Sequence, residues 1–488
     1  MKFRKAFLIL IILLTRLTIM YPQSQWELIK TIESGDLETC KQQVDLMFDI
    51  NMILENGYTV LNYSIITGRI DLVEYLLSKN VDIEKPSNKQ TPLMLSARYN
   101  TNILELLISK GVDIGREIND KSAITVALDE GRKDAIALLE ANGASLELKW
   151  GVDGPHIFYD TLMNITTIVT VDDQNKIIVD TLKKRPNEVI VKTPSGESFE
   201  VQLGKSTYET KSIYKKVEKI FAISDIEGNY YDFVTALKNN KIIDDNFNWT
   251  FGDGHLVLLG DFMDRGKYVT QVLWLIYKLE QDAEKMGGKV HYILGNHEEM
   301  NLLGDYRFVD IRYKILAYKT GMDISDFNTN QTEFGAWLRT KNVVEKIGDN
   351  LFVHAGISDS ILSMNLSIPE INKIARKVFS DPQARINKEA NVVLFDYGVL
   401  WYRGYITEEE DYGKISQNSV DKILGYYNAD RFIVGHTIVG DISTDYKGKL
   451  IRLDVDHYNN IASGILILGD KIYKAKETGE KELLFEKK

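Results

Sequence analysis

Five short segments in the second half of the chain hold side chains of the kinds that bind metal ions and phosphate. They read Ser224-Asp-Ile-Glu-Gly-Asn229, Gly260-Asp-Phe-Met-Asp-Arg-Gly266, Gly295-Asn-His-Glu298, His354-Ala-Gly356 and Gly435-His-Thr437. Asp, Glu, Asn and His supply the oxygen and nitrogen donors that divalent metals take, and Arg grips phosphate through a planar fork. Each segment ends a strand-like apolar run. Phe221-Ala-Ile-Ser224 leads into Asp225, Leu256-Val-Leu-Leu259 into Asp261, and Val290-His-Tyr-Ile-Leu294 into Asn296. Leu351-Phe-Val353 leads into His354 and Arg431-Phe-Ile-Val434 into His436. Between them lie helical stretches such as Val269 to Met286, where Val272, Leu275, Ile276 and Leu279 keep a helical period. Ligands at the carboxyl ends of strands are where open α/β sheets bind their substrates.

The scaffold around these segments is large. A chain of 488 residues implies about three domains at roughly 150 residues each. The net charge of −11 argues against long nucleic acid as a partner, while leaving room for a local basic pocket. At the N-terminus Lys2, Arg4 and Lys5 precede the apolar run Ala6 to Leu14 and the polar stretch Tyr21 to Gln25. That is the order of a secretory signal peptide, so residues 1–25 are expected to be one. Arg16 leaves the run too short to favour a membrane span. Cys40 is the single cysteine, so no intramolecular disulfide can form. Export without disulfides fits a periplasmic or secreted protein of a bacterial envelope, with no stable membrane span after cleavage.

A repeat governs residues 26–148. Tyr58-Thr-Val-Leu-Asn-Tyr-Ser64 recurs as Gln90-Thr-Pro-Leu-Met-Leu-Ser96 and as Lys121-Ser-Ala-Ile-Thr-Val-Ala127, each followed by a second helical run. The spacing and the Thr91-Pro-Leu93 triplet resemble an ankyrin array of period about 33, and Gly35-Asp-Leu37 marks a degenerate first unit. Such a solenoid binds a protein partner or packs on the domain that carries the five segments. Residues 149–217 read as a small β-rich linking module, with β-branched runs at 166–171, 176–180, 188–192 and 198–202 and no site chemistry.

Residues 218–457 resemble the calcineurin-like metallophosphoesterases. The diagnostic piece is Gly260-Asp-x-x-Asp-Arg-Gly266 followed by Gly295-Asn-His-Glu298. Gly398-Val-Leu-Trp-Tyr-Arg-Gly-Tyr405 resembles the Shewanella-like protein phosphatases of the phosphoprotein-phosphatase branch. The resemblance implies a two-sheet α/β sandwich over 218–488, and hence a multidomain chain of ankyrin solenoid, β module and metallophosphoesterase. It implies two divalent metal ions, Mn²⁺ foremost and Fe, Zn or Mg otherwise. Asp261 would bridge them, with Asp225 and Glu227 on the first and Asn296, His354 and His436 on the second. His297 would protonate the leaving oxygen with Asp264 as its orienting and charge-stabilising partner, and Arg265 and Arg403, with Asn296, would bind the phosphate. Glu227 departs from the family, which has a metal-binding His there. A carboxylate remains a competent ligand and favours harder ions such as Mn²⁺ or Mg²⁺.

The function expected is a metal-dependent phosphatase that hydrolyses phosphomonoesters, of phosphoprotein by resemblance, through a metal-activated water. The alternatives are an ankyrin-based binding module with a degenerate metal site, or a nucleotide polyphosphate hydrolase. His156, His255, His291 and His457 lie outside the motifs and read as structural. Asp305, Tyr306 and Arg307 read as exposed loop, and Glu408 to Asp411 as a solvated surface.

Overall fold

Thr59, Thr91 and Ser122 each precede an apolar stretch, and each caps a helix. The Thr59 hydroxyl accepts the Asn62 N–H (3.1 Å) and the Thr91 hydroxyl that of Met94 (3.1 Å). Pro92 opens its helix where no N–H is needed. Caps of this kind contribute about 1 kcal/mol each. The capped helices Val60–Ile66, Pro92–Tyr99 and Ala123–Asp129 are followed by Ile70–Ser78, Thr101–Ser109 and Lys133–Ala141, and Pro22–Ser34 with Leu37–Asp45 forms the degenerate first pair. Leu61, Ile65, Leu72, Leu76, Leu93, Leu104, Leu107, Val126 and Leu139 make a continuous buried core through the stack. An arginine ties successive pairs twice over: Arg69 donates to the Ile32 carbonyl (2.9 Å) and Arg132 to that of Arg98 (2.6 Å).

The computed structural model describes residues 22–204, 211–407, 413–456 and 463–486. The leader-like segment up to Tyr21, the run Glu408 to Asp411 and His457 lie outside the described residues. No helix among the described residues is long and apolar enough to cross a membrane. The chain divides into two compact units between Glu147 and Leu148.

The second unit contains strands β1 (Asp153–Asp160), β2 (Ile165–Val171), β3 (Ile177–Leu182), β4 (Glu188–Lys192), β5 (Ser198–Gln202) and β6 (Ile213–Tyr214). Then come β7 (Lys219–Ile223), β8 (His255–Leu259), β9 (Lys289–Ile293), β10 (Val344–Ile347), β11 (Asn350–Val353) and β12 (Arg431–Val434). The last are β13 (Ser443–Asp445), β14 (Leu450–Arg452), β15 (Gly464–Leu468), β16 (Lys471–Ala475) and β17 (Lys481–Glu486). Two six-stranded sheets form the centre, ordered β17-β16-β15-β7-β8-β9 and β13-β14-β12-β11-β10-β6. Their strands are apolar on both faces and sort by alternate residues. Ile220, Ala222, Val257, Leu259, Phe352 and Ile433 share one cluster between the sheets. Phe221, Ile223, Leu256, Leu258, Leu351 and Phe432 join the other, with the flanking helices. β7, β8 and β9 run parallel, as do β11, β12 and β14, so six carboxyl ends face one crevice.

The strands of 149–217, read from the sequence as a small β-rich linking module, pack against elements that follow them in the chain. Ile157, Val189, Val191, Phe199 and Val201 belong to the same hydrophobic cluster as the helix Val269–Lys285. Trp274 Nε1 donates to the Pro155 carbonyl (2.9 Å) and Arg312 Nη2 to that of Val152 (3.0 Å). β6 pairs with β10 at the edge of the second sheet. Turn residues separate these strands in the sequence, but their buried faces are completed by elements from later in the chain, among them the helix that follows β8 and the residues around Leu316 and Phe327.

Candidate metal centre

Three loops interlock where β7, β8 and β9 end. The Asp225, Glu227 and Gly228 N–H groups donate to the carbonyls of Gly260, Asp261 and Phe262 (2.9, 2.8 and 3.0 Å). Asp225, Asp261 and His436 hold left-handed backbone conformations, at φ of 54°, 57° and 66°. Each costs about 1–3 kcal/mol and persists because the surroundings over-determine it. Gly295 is required by close approach, since a Cβ there would overlap the Asp261 carboxylate. Glu298 fixes the second loop from beneath. Its buried carboxylate accepts the N–H groups of Asp261 (2.9 Å), Phe262 (2.8 Å), Met263 (3.1 Å) and Gly295 (2.8 Å), and the Tyr292 hydroxyl (3.0 Å).

Eight of the ten expected site residues line one cavity of about 280 Å³: Asp225, Glu227, Asp261, Arg265, Asn296, His297, Arg403 and His436. His354 and Asp264 stand directly behind it. Two groups of candidate ligands, Asp261 with His354 and His436 and Asp261 with Glu227 and His297, each bring one donor atom per residue within 4.8 Å of the others. Asp261 is common to both. Asp225 lies outside those groups, and its carboxylate accepts the His436 N–H (3.1 Å).

The donor set fits a metal. His354 Nδ1 faces the Leu259 carbonyl (2.8 Å), which can only accept, so Nδ1 carries the hydrogen. That turns the Nε2 lone pair toward Asn296 Oδ1 (3.0 Å) and Asp261 Oδ2 (3.1 Å). Three acceptors converge there, and a cation has to sit among them, a proton or a metal ion. His436 is oriented alike, Nε2 donating to the Trp401 carbonyl (3.1 Å). Charges follow suit. Burial opposes protonation of His354, yet Asp261 and Asp225 raise its pKa to about 9. Burial, with Asp261 alongside, pushes Asp225 up to about 7.

Beside this cluster His297 Nδ1 bonds Asp264 Oδ2 (2.7 Å), and Nε2 lies 4.0 Å from Asp261 Oδ2. Asn301 Nδ2 donates to the second Asp264 oxygen (2.7 Å) and to the His297 carbonyl (2.9 Å), which sets the plane of the carboxylate. Arg403 donates to the His436 carbonyl (3.0 Å) and Thr437 Oγ1 (3.2 Å). Arg265 forms an ion pair with Glu227.

Residues 218–440 match the calcineurin-like phosphoesterases. A crystal structure of a cold-active protein-tyrosine phosphatase from a psychrophilic Shewanella species is 31% identical, with a TM-score of 0.62, over 68% of this chain and 99% of that one. The chain belongs to the calcineurin-like phosphoesterase family. Shewanella-like protein phosphatase 1 of Plasmodium berghei is 29% identical over 240 residues, covering 48% of this chain and 66% of that protein. Shewanella-like protein phosphatase 2 of Arabidopsis thaliana is 38% identical over 96 residues, 20% of this phosphoesterase and 25% of the plant protein. Residues 28–118 match ankyrin repeats in three copies. The phosphoesterase is therefore a hydrolase, a metal-dependent phosphatase, joined to an ankyrin unit.

Some of its site residues carry no signal that the motifs single out. Phe308, Ile438, Val455, Asp454 and Asp456 also line the cavity, as does Trp401 of the Gly398–Tyr405 segment. Asp305 and Arg307 pair with each other instead (2.7 Å). His156 bonds Asp153 (2.8 Å), and His255 and His291 bond each other (2.8 Å), away from the centre. Glu299, on the helix after β9, is buried against the Trp401 indole N–H (3.3 Å). Burial raises its pKa to about 7 from 4.5. Below pH 4.5 the group is neutral folded and unfolded, and costs nothing. As pH climbs from 4.5 to 7 the unfolded chain ionises first, so stability falls, and the full penalty applies above pH 7. Two and a half units correspond to about 3 kcal/mol. Glu299→Gln keeps an acceptor for Trp401 without the charge. It is expected to melt higher than wild type at pH 8 and equally at pH 4.5; equal melting at both values would refute a buried ionised Glu299.

Proposed function

We propose that this phosphoesterase removes phosphoryl groups from phosphoproteins, phosphotyrosine before phosphoserine. One arrangement carries the reading: a buried acid pair, two arginines and the metal donors face a single cavity. Phe308, Trp401 and Ile438 form an apolar rim suited to a flat aryl leaving group. The Shewanella structure bears the name of a protein-tyrosine phosphatase, which supports the same choice.

Arg265 and Arg403 would clamp the phosphoryl oxygens, Arg265 exchanging Glu227 for the substrate. Two divalent ions, Mn²⁺ foremost, held by Asp225, Glu227 and Asp261 and by Asp261, Asn296, His354 and His436, would supply Lewis acidity toward phosphate and water. The water oxygen bonds to phosphorus as the ester P–O bond breaks. His297 gives the departing oxygen its proton, and Asp264 steadies the ring before and after. Burial lowers the His297 pKa, but Asp261 and the bond to Asp264 outweigh it, and the net direction is upward, toward the proton-carrying form a donor needs. A non-catalytic scaffold is not favoured, because acid pair and arginines are all in place. The ankyrin unit supports recruitment of a protein partner, and the leader-like N-terminus supports export. A mature protein from its native host that still begins at Met1 would count against export.

The test compares the full chain with His297→Asn on two substrates in Mn²⁺. Loss of the proton donor should lower turnover of phenyl phosphate by about 10²–10³ and of para-nitrophenyl phosphate far less, since nitrophenolate leaves unprotonated. Equal losses on both would overturn the acid assignment. No turnover by wild type with phosphotyrosine peptide or either aryl phosphate would overturn the function.

A further inference from the structure

We propose that Asp454 is a further metal ligand of the centre, an inference that rests on the two-metal reading above. The argument begins with strand register. β14 runs parallel to β12 with Val434 opposite Arg452, so two residues on, Asp454 falls opposite His436. Backbone bonds continue that alignment past the strand ends. Leu453 N–H donates to the Val434 carbonyl (2.8 Å) and Val439 N–H to that of Asp454 (2.9 Å). A sixth strand thus delivers an acidic side chain to the crevice in the manner of the other five. The sequence carries the same pattern, Leu450-Ile-Arg-Leu453 leading into Asp454 as Phe221-Ala-Ile-Ser224 leads into Asp225.

The side chain is built in rather than adrift. Asp454 is 3% exposed and lines the cavity with Asp225, Glu227 and Asp261. Among the described residues, no hydrogen-bond donor reaches its carboxylate. The charges that act on it are Asp225 and Asp261, which repel it, and Arg403 and Arg265, which attract it. A carboxylate buried beside two others is destabilising unless a cation compensates it. Both arginines are engaged, Arg265 by Glu227 and Arg403 by His436 and Thr437.

Charge balance points the same way. Asp225, Glu227, Asp261 and Asp454 bring four negative charges, which two divalent ions neutralise, leaving the arginines for phosphate. Glu227 is paired with Arg265, and Asp454 adds a further carboxylate to the same cavity. The donor set that results is rich in oxygen and selects Mn²⁺ or Mg²⁺ over softer ions.

The experiment is Mn²⁺ titration of the chelator-stripped full chain by calorimetry, with thermal melts of the stripped and loaded forms. Wild type is compared with Asp454→Asn, which keeps shape and loses charge, and with Asp454→Glu, which keeps the charge. Wild type should bind two ions. Asp454→Asn should bind one of them at least tenfold more weakly, and Asp454→Glu should retain both. Stripped Asp454→Asn should melt above stripped wild type, because a buried repulsion is gone, and should gain less on loading. Two ions bound by Asp454→Asn within twofold of wild-type affinity, or an unchanged gain on loading, would overturn the assignment. That result would leave aryl phosphate hydrolysis by wild type intact, whereas wild type without bound Mn²⁺ would remove the two-metal reading along with it.

Discussion

Asp261→Asn is expected to lower kcat/KM for para-nitrophenyl phosphate by about 10³-fold or more, a loss of about 4 kcal/mol of transition-state stabilisation. Asp261 is the single residue shared by both candidate ligand groups, so one substitution weakens both positions. The fold should survive, because the amide oxygen can still accept the His297 N–H that Asp261 Oδ1 accepts now (2.9 Å). Bound Mn²⁺ should fall in parallel, from two equivalents to fewer than one. Turnover within tenfold of wild type, or undiminished metal, would remove Asp261 from the bridging position.

Glu298→Ala should act on stability first. Five donors converge on that carboxylate, four of them backbone N–H groups of the ligand loops. Leaving a buried donor unpaired costs about 1–3 kcal/mol, and even with water reaching some of them the sum is about 4 kcal/mol or more. A domain with about 5–15 kcal/mol in hand then unfolds readily or loses order in its metal loops. Glu298→Gln should be intermediate, since its amide presents one acceptor and one opposing N–H₂ face. Urea melts of both variants with and without Mn²⁺ give the answer. A midpoint for Glu298→Ala within error of wild type would show that the loop holds itself.

The sequence announced Asp225, Asp261, Asn296, His354 and His436 because each sits at a fixed offset from an apolar run, and strand ends convert that offset into position. The repeat at 58–127 was legible for a similar reason: caps, helices and turns all lie within about 33 residues. Other features depend on partners far away in the chain. The strands of 149–217 looked self-contained because only their own turns are local; Val191 and Phe199 are buried by partners from beyond residue 218. Asp454 reaches the cavity because β14 lies next to β12, an adjacency that no spacing expresses. Glu298 was read as part of a motif, yet its work is to collect backbone donors, and backbone leaves no trace in residue identity.

The order β15-β7-β8 has a consequence for biosynthesis. β7 must wait for β15, which pairs with it residue for residue from Lys219–Leu468 to Ala222–Ile465, and which is made about 240 residues later. At roughly 5–20 residues per second, one side of β7 stays unpaired for roughly 10–50 s after it emerges. The repeat pairs before residue 148 close on their immediate neighbours and are finished long before. A nascent chain of this protein is therefore a completed solenoid trailing an open apolar sheet edge, and an open edge of that kind invites pairing with other chains.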